Sequence, residues 1–395
     1  MKALQRHPAD VNLSNWQSPP FSEWAFQNVC EIVSSARIEA GPGDSLPLPQ
    51  EHRALDHFRL ESANRAPMNL GEFQEATQTD ALIVVIDGRI AYEFYDHGMT
   101  PTTRHILMSA SKSIVGLIVG ILLHRGSLDL DEQISRLLPE VAHTGYRSAT
   151  FRHVLDMRTG VRLSPVEQAT YEAATNWVPL QQGAQVTDLR AFFTTLQSRL
   201  NPHGGPFSYV SANTDLLGWA LERASGKSIA ALVTELLWKP MGAECGAYVT
   251  VDRGGLARCT GGFCMTARDL ARIGQLLVDG GRHRDREVIP EAWIDDIAGN
   301  GDRQAWKNGE FAKYFPYETM SYRSGWYVIH DEPQILFAMG IYGQNLFVDR
   351  ANRLVIAKLS SHKVPLDYAA IALTHQAVQE IRRCLIGGPR RPLEV

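Results

Sequence analysis

A serine and a lysine three residues apart, Ser109-Ala-Ser-Lys112, open a run that is apolar almost all round. Ile114, Val115, Leu117, Ile118, Val119, Ile121, Leu122 and Leu123 follow them. Three residues along a helix return to the same face, so Lys112 stands beside Ser109. The first turn of a helix has free backbone N–H groups and the positive end of the dipole. That position favours an oxyanion, and the Ser109 N–H would be one donor to it. A lysine buried at the start of an apolar helix loses solvation, and its pKa falls until it can share a proton with a serine. The plain alternative is an N-capping Ser109 with Lys112 at the surface. The same Ser-x-x-Lys spacing at Ser360-Ser-His-Lys363 follows a strand and leads to Pro365, where it reads as a solvated loop.

An activated serine needs a further acid or base. Tyr209-Val-Ser-Ala-Asn213 offers one after the turn-prone Pro202-His-Gly-Gly-Pro206. A free tyrosine titrates near 10, and a neighbouring ammonium would lower it toward a useful base. The alternative is a packed aromatic at a helix entry, with Asn213 as the cap. Among the 13 histidines, His105 precedes Ser109 and suits packing beneath the helix. Asp156 and Asp215 read as structural hydrogen-bonders. GxGxxG, HExxH and GxSxG are absent, and Gly226-Lys227-Ser228 lacks the leading glycine of a phosphate loop because Leu221 stands there.

The elements that position these groups follow from periodicity. Ala81–Ile86 and Ile90–Tyr95, joined through Asp87-Gly88, read as a hairpin. Ser109–Arg125 is a buried helix closed by Gly126. Helices are expected over Asp188–Leu200, Asn213–Ser225, Ser228–Leu237 and Thr266–Val278. Strands Gly325–Ile329, Gln334–Ile341, Asn345–Asp349 and Leu354–Ser360 are spaced like an antiparallel meander, before a last helix near Leu366–Leu385. Strands at both ends of a helical middle predict three parts. Residues 1–70, with Trp16, Trp24, Phe26 and the Gly-Pro-rich 41–45, form an irregular arm packed on the core. Residues 71–150 and 290–395 form an α/β domain, and 151–289 a helical one.

With 395 residues the chain allows two or three domains. Hydrophobic content of 44% against a net charge of -4 excludes a disordered chain. The balance of 39 basic and 43 acidic residues gives no footprint for nucleic acid or an anionic membrane. The apolar runs Ile114–Leu123 and Ala81–Ile86 are too short to span a bilayer. Met1–Leu13 shows no apolar leader core. Five cysteines without a CxxC pair read as reduced thiols of a cytoplasmic protein rather than a metal site. No cofactor is implied. An apolar patch at Trp16–Phe26 would serve a homodimer or cover the core.

Taken in order, seven blocks resemble the serine β-lactamase and penicillin-recognising superfamily, above all its 6-aminohexanoate-dimer (nylon-oligomer) hydrolases and class C β-lactamase-fold esterases. They are Trp16-Gln-Ser-Pro-Pro20 with Trp24-Ala-Phe26, Leu107-Met-Ser-Ala-Ser-Lys-Ser113, Gly126-Ser-Leu-Asp-Leu-Asp131 with Leu138-Pro139, Arg152-His-Val-Leu-Asp-Met157, Tyr209-Val-Ser-Ala-Asn-Thr-Asp215, Gly261-Gly-Phe-Cys-Met-Thr-Ala-Arg-Asp-Leu270 and Gly340-Ile-Tyr-Gly-Gln-Asn345. The resemblance covers most of the chain. It implies an α+β fold: an antiparallel sheet flanked by helices, with an inserted helical domain.

It also implies roles. Ser109 would be the acylated nucleophile, Lys112 its proton partner, and Tyr209 the acid/base shared by acylation and deacylation. The Ile341 N–H would join that of Ser109 in the oxyanion hole, and Gly340 would let substrate approach the strand. Ala338-Met339-Gly340 falls where β-lactamases carry Lys-Thr-Gly, so the lysine that holds a β-lactam carboxylate is missing. A substrate-binding tyrosine of the nylon-oligomer pattern aligns near Glu167, with Tyr171 a few residues on. Asn213, Trp326 and Tyr327 complete the candidate substrate pocket. The expected activity is hydrolysis of small esters, and of linear amides such as 6-aminohexanoate oligomers, through an acyl-enzyme. Acyl transfer on the same fold and a non-catalytic ligand-binding relative stand as alternatives.

Overall fold

The computed structural model describes residues 10–41, 47–62, 65–183 and 186–387. Residues 1–9 of the stretch read for a leader, and 42–45 of the Gly-Pro-rich stretch, lie outside the described residues. A seven-stranded antiparallel sheet runs in the order Met320–Arg323, Trp326–Ile329, Ile335–Gly340, Gln344–Asp349, Leu354–Ser360, Thr79–Ile86, Arg89–Tyr95. Strand Thr79–Ile86 therefore pairs with a strand some 270 residues later, with Val84 opposite Ile356. Its apolar residues do not alternate with polar ones because both faces are covered. Ile83, Val85, Ala357 and Leu359 enter the main core, while Leu82, Val84, Ile356 and Phe347 enter a second. Such strands read as continuous apolar runs.

Helix Ser111–His124 is buried at every residue from Ser111 to Leu122, in agreement with its all-round apolarity. Its two glycines let neighbours approach. A Cβ on Gly116 would lie 1.9 Å from the Ser324 carbonyl oxygen, and one on Gly120 would lie 2.2 Å from the Trp293 ring. Because the obstruction at Gly116 is backbone, Gly116→Ala should cost about 3 kcal/mol by overpacking. The check is a urea titration, with a lower midpoint and an unchanged slope. An unchanged midpoint would mean that the Ser324 turn yields freely. On the same face, helix Ala267–Val278 packs across strands Gln344–Asp349 and Leu354–Ser360. Helix Tyr368–Ile386 covers the other face, burying Ala377, Val378 and Ile381.

A second sheet runs in the order Ser35–Ile38, Ala247–Thr250, Phe263–Thr266, Arg104–Ile106. The N-terminal arm thus contributes a strand where its sequence reads as irregular, paired to a partner about 210 residues away. Trp16 and Phe26 are buried within the chain, Trp16 against Trp177 and Phe26 against Tyr342. Two further departures have local causes. The helix expected over 188–200 stops at Thr195, because the N–H groups of Gln197 and Ser198 are captured by Glu167 and that of Leu200 by the Gly160 carbonyl. The expected solvated loop at 360–363 is buried through His362, and only Lys363 is exposed, since the segment passes under the Ile341–Gly343 turn. None of the five cysteines is joined in a disulfide. Among the described residues, no helix is long and apolar enough to cross a membrane.

Candidate active site

Strand Arg104–Ile106 delivers the chain into the buried helix through a strained step. The N–H of Leu107 donates to the Phe263 carbonyl at 2.8 Å, and Met108 then takes a positive φ of 46°. A side-chain-bearing residue held there costs on the order of 1–3 kcal/mol, and such strain gathers at functional sites. Met108–Ala110 forms one 3₁₀ turn, continued by helix Ser111–His124. Ser109 is half-buried on that turn. The Lys112 Nζ reaches back to within 2.9 Å of Ser109 Oγ and also donates to the Thr260 carbonyl at 3.0 Å. It lies 4.8 Å over the Tyr209 ring.

Tyr209 stands just before helix Ser211–Ser225. Its N–H donates to Glu310 at 3.0 Å, and its ring stacks on Phe311 at 5.1 Å. Burial, reinforced by the Arg258 charge, drives the Lys112 ammonium well below its ordinary value. Burial also raises the Tyr209 phenol, against the hydrogen bond with Ser109 and the Arg258 charge. The expectation that a neighbouring ammonium would lower Tyr209 is therefore reversed. Desolvation penalises whichever form is charged, so burial disfavours the Lys112 ammonium and the Tyr209 phenolate alike. A neutral amine can give one hydrogen to Thr260 and accept the Ser109 hydroxyl hydrogen on its lone pair.

Behind the lysine is a closed polar wall. The Asp215 carboxylate, fully buried, forms an ion pair with Arg258 and accepts from the Tyr171 hydroxyl at 2.7 Å and the Thr260 N–H at 2.9 Å. The Thr260 hydroxyl donates to the Ser211 carbonyl. Arg258 also lies over the rings of Tyr171 and Trp177, at 4.8 and 5.1 Å. On the opposite side, strand Ile335–Gly340 runs past Ser109. A Cβ on Gly340 would lie 2.4 Å from the Leu107 carbonyl oxygen and 3.0 Å from the Ser109 nitrogen. Glycine is required there by backbone approach. Ile341 follows, half-buried, in a tight turn where Tyr342 has a φ of 62°.

The structure thus brings Ser109, Lys112 and Tyr209 together and sets Gly340 and Ile341 beside them. The remaining candidates fall elsewhere. Tyr171 is locked into the Asp215–Arg258 wall at 2% exposure. Glu167 caps its own helix through Ser164 and staples Gln197 and Ser198. Burial opposes its charge, but the hydrogen bonds from Ser198 and Ser164 bring its carboxyl down to about 2. Asn213 is fully buried, with its amide between Tyr146 and Thr159. Trp326 and Tyr327, successive strand residues, point into the two cores on opposite faces of the sheet. Arg258, Thr260 and Trp177 carry no motif in the sequence and become visible only when three distant segments meet.

Residues 60–380 match the family described as Beta-lactamase. The chain is 32% identical over 383 residues to the 6-aminohexanoate-dimer hydrolase of Paenarthrobacter ureafaciens, covering 92% of this chain and 93% of that one. It is 31% identical over 162 residues to esterase EstB of Burkholderia gladioli, covering 39% and 41% respectively. A Bacillus anthracis structure provisionally named a 6-aminohexanoate-dimer hydrolase superposes with a TM-score of 0.88 at 25% identity, covering 97% of this chain and 99% of that one. With a half-buried serine beside a buried lysine on this antiparallel scaffold and hydrolase relatives along nearly its whole length, the chain is a serine hydrolase and belongs to the β-lactamase family.

Proposed function

We propose that the protein hydrolyses small carboxylic esters, and linear amides more slowly, through an acyl-enzyme on Ser109. The observation that carries this is the Lys112 amine, buried at 2% exposure and 2.9 Å from Ser109 Oγ. As a neutral base, Lys112 takes the hydroxyl proton while Oγ attacks the carbonyl carbon. The N–H groups of Ser109 and Ile341 receive the oxyanion. Tyr209, kept protonated by burial, donates to the departing alkoxide or amine and recovers a proton from the Lys112 ammonium. Water then enters, gives its proton back through the same pair, and releases the acid.

Two features favour esters. Glu167 aligns near the substrate-binding tyrosine of the nylon-oligomer pattern, and Tyr171, a few residues on, is bonded to Asp215 and Arg258, so neither offers a free phenol to an amide. No lysine stands in Ala338-Met339-Gly340 to hold a β-lactam carboxylate. Amide cleavage stays within reach because a 6-aminohexanoate-dimer hydrolase is similar over 92% of the chain. The test is turnover of p-nitrophenyl butyrate and of linear 6-aminohexanoate dimer, with peptide mass spectrometry after treatment with an alkyl fluorophosphonate. The expected outcome is ester turnover, weak or no dimer cleavage, and a single phosphonyl adduct on Ser109. An adduct on another residue, or ester turnover surviving full adduct formation, would overturn the assignment.

A further inference from the structure

We propose that Asp80 is a positioning residue for this site, tying together the two segments that carry its oxyanion donors. The inference rests on the reading of Ser109 and Ile341 given above. Asp80, on strand Thr79–Ile86, has no solvent exposure. Its Oδ2 lies 3.2 Å from His105 Nε2, and its Oδ1 accepts from the Ser361 hydroxyl at 3.0 Å and lies 2.5 Å from His97 Nδ1.

His105 and Ser361 belong to opposite walls of the site. His105, also fully buried, is four residues before Ser109, and its Nδ1 lies 2.8 Å from the Ile106 carbonyl. Ser361 precedes His362, whose N–H donates to the Tyr342 carbonyl; a Cβ on Gly343 would lie 2.4 Å from the His362 ring. Gln344 extends the same brace, its side-chain amide donating to the carbonyls of Tyr342 and Ser360 at 3.0 and 2.7 Å. The Phe26 ring makes a parallel apolar link, 5.9 Å from His105 and 5.0 Å from Tyr342. One carboxylate therefore fixes the distance between the strand feeding Ser109 and the turn beginning at Ile341. Displacing either N–H would weaken a contact that matters most once negative charge develops. Asp80, His105, Ser361 and His362 are all buried within the protein.

Asp80→Asn keeps the size but removes the negative charge and one acceptor oxygen, so the charge-assisted hold on His105 and Ser361 weakens. With p-nitrophenyl butyrate, kcat should fall roughly 10²-fold, as expected for a displacement near 1 Å, while KM stays within a few-fold. A trifluoromethyl ketone, which adds to Ser109 and places an oxyanion in the hole, should weaken in parallel with kcat. Ser361→Ala, which removes one arm only, should lose kcat several-fold with the same unchanged KM, and serves if Asp80→Asn does not fold. A folded Asp80→Asn with wild-type kcat, or one that loses kcat while binding the ketone as before, would overturn the proposal. Ser109→Ala separates the two claims. If it stays active the nucleophile reading falls, and if it is dead while Asp80→Asn is fully active only the positioning role falls.

Discussion

Lys112→Met should lose about 10³-fold or more in kcat on esters, the upper range for a general base, and yet be relatively most stable against wild type at neutral pH. Both follow from one displaced titration. In the unfolded chain the lysine holds its proton up to about 10.4, whereas in the fold burial and Arg258 bring the amine well below its usual value. Between those two values the unfolded state binds the extra proton, so wild-type stability rises with pH across the window. Methionine fills much the same space and does not titrate. At pH 7 it gains about 1.4 kcal/mol for every unit by which the folded value falls below the unfolded one, counted no further than pH 7, and loses the hydrogen bond to Thr260, a cost of about 1–3 kcal/mol.

The measurement is thermal melting of both proteins from pH 6 to 10. The difference between mutant and wild type should be most favourable to the mutant near neutrality and shrink steadily toward pH 10. A pH-independent difference would mean that the amine is charged in the fold. Wild-type kcat/KM should fall on the acid side as Lys112 takes up a proton, at a pH well below that of an ordinary lysine. An enzyme whose activity instead begins only near pH 10 would carry an unperturbed lysine and would sink the proposed base.

Much of this was legible in the residues, for a physical reason. A segment apolar on every side, such as Ile114–Leu123, can only be buried, so the position of Lys112 and the desolvation of its amine follow from local pattern. The meander at 325–360 is legible on the same grounds, since short apolar runs separated by turn residues pair with their neighbours. What escapes is non-local. Ser35–Ile38 becomes a strand only because Ala247–Thr250 lies open to it, and nothing in four residues reports that. The direction of the Tyr209 shift escapes as well, because it depends on how fully the phenol is buried, which distant segments decide. Asp80 reads as the polar start of an apolar strand. Its three partners come from residues 97, 105 and 361, and Ser361 and His362 look like solvent-facing loop until strand Leu354–Ser360 is seen to run beneath the Ile341 turn.

Asp215→Ala should be the most destabilising single change at the site, about 3–5 kcal/mol, the usual cost of stripping the partner from a buried charge. Arg258, 7% exposed, would keep its guanidinium among the rings of Tyr171 and Trp177 with no carboxylate to balance it. The Tyr171 hydroxyl and the Thr260 N–H would lose their acceptor at the same time. If the uncompensated charge is the main cost, Asp215→Ala with Arg258→Met should recover a large part of the loss, and urea titrations of both singles and the double give the coupling directly. A double variant that is only as stable as the sum of the singles would place the cost in the hydrogen bonds instead. Arg258→Met also has a catalytic signature. Removing a positive charge that disfavours the Lys112 ammonium should move the acid limb of kcat/KM to higher pH, while Ser109 is still labelled by fluorophosphonate above that limb. A limb that stays in place would show that burial alone sets the lysine and that Arg258 serves the wall behind it.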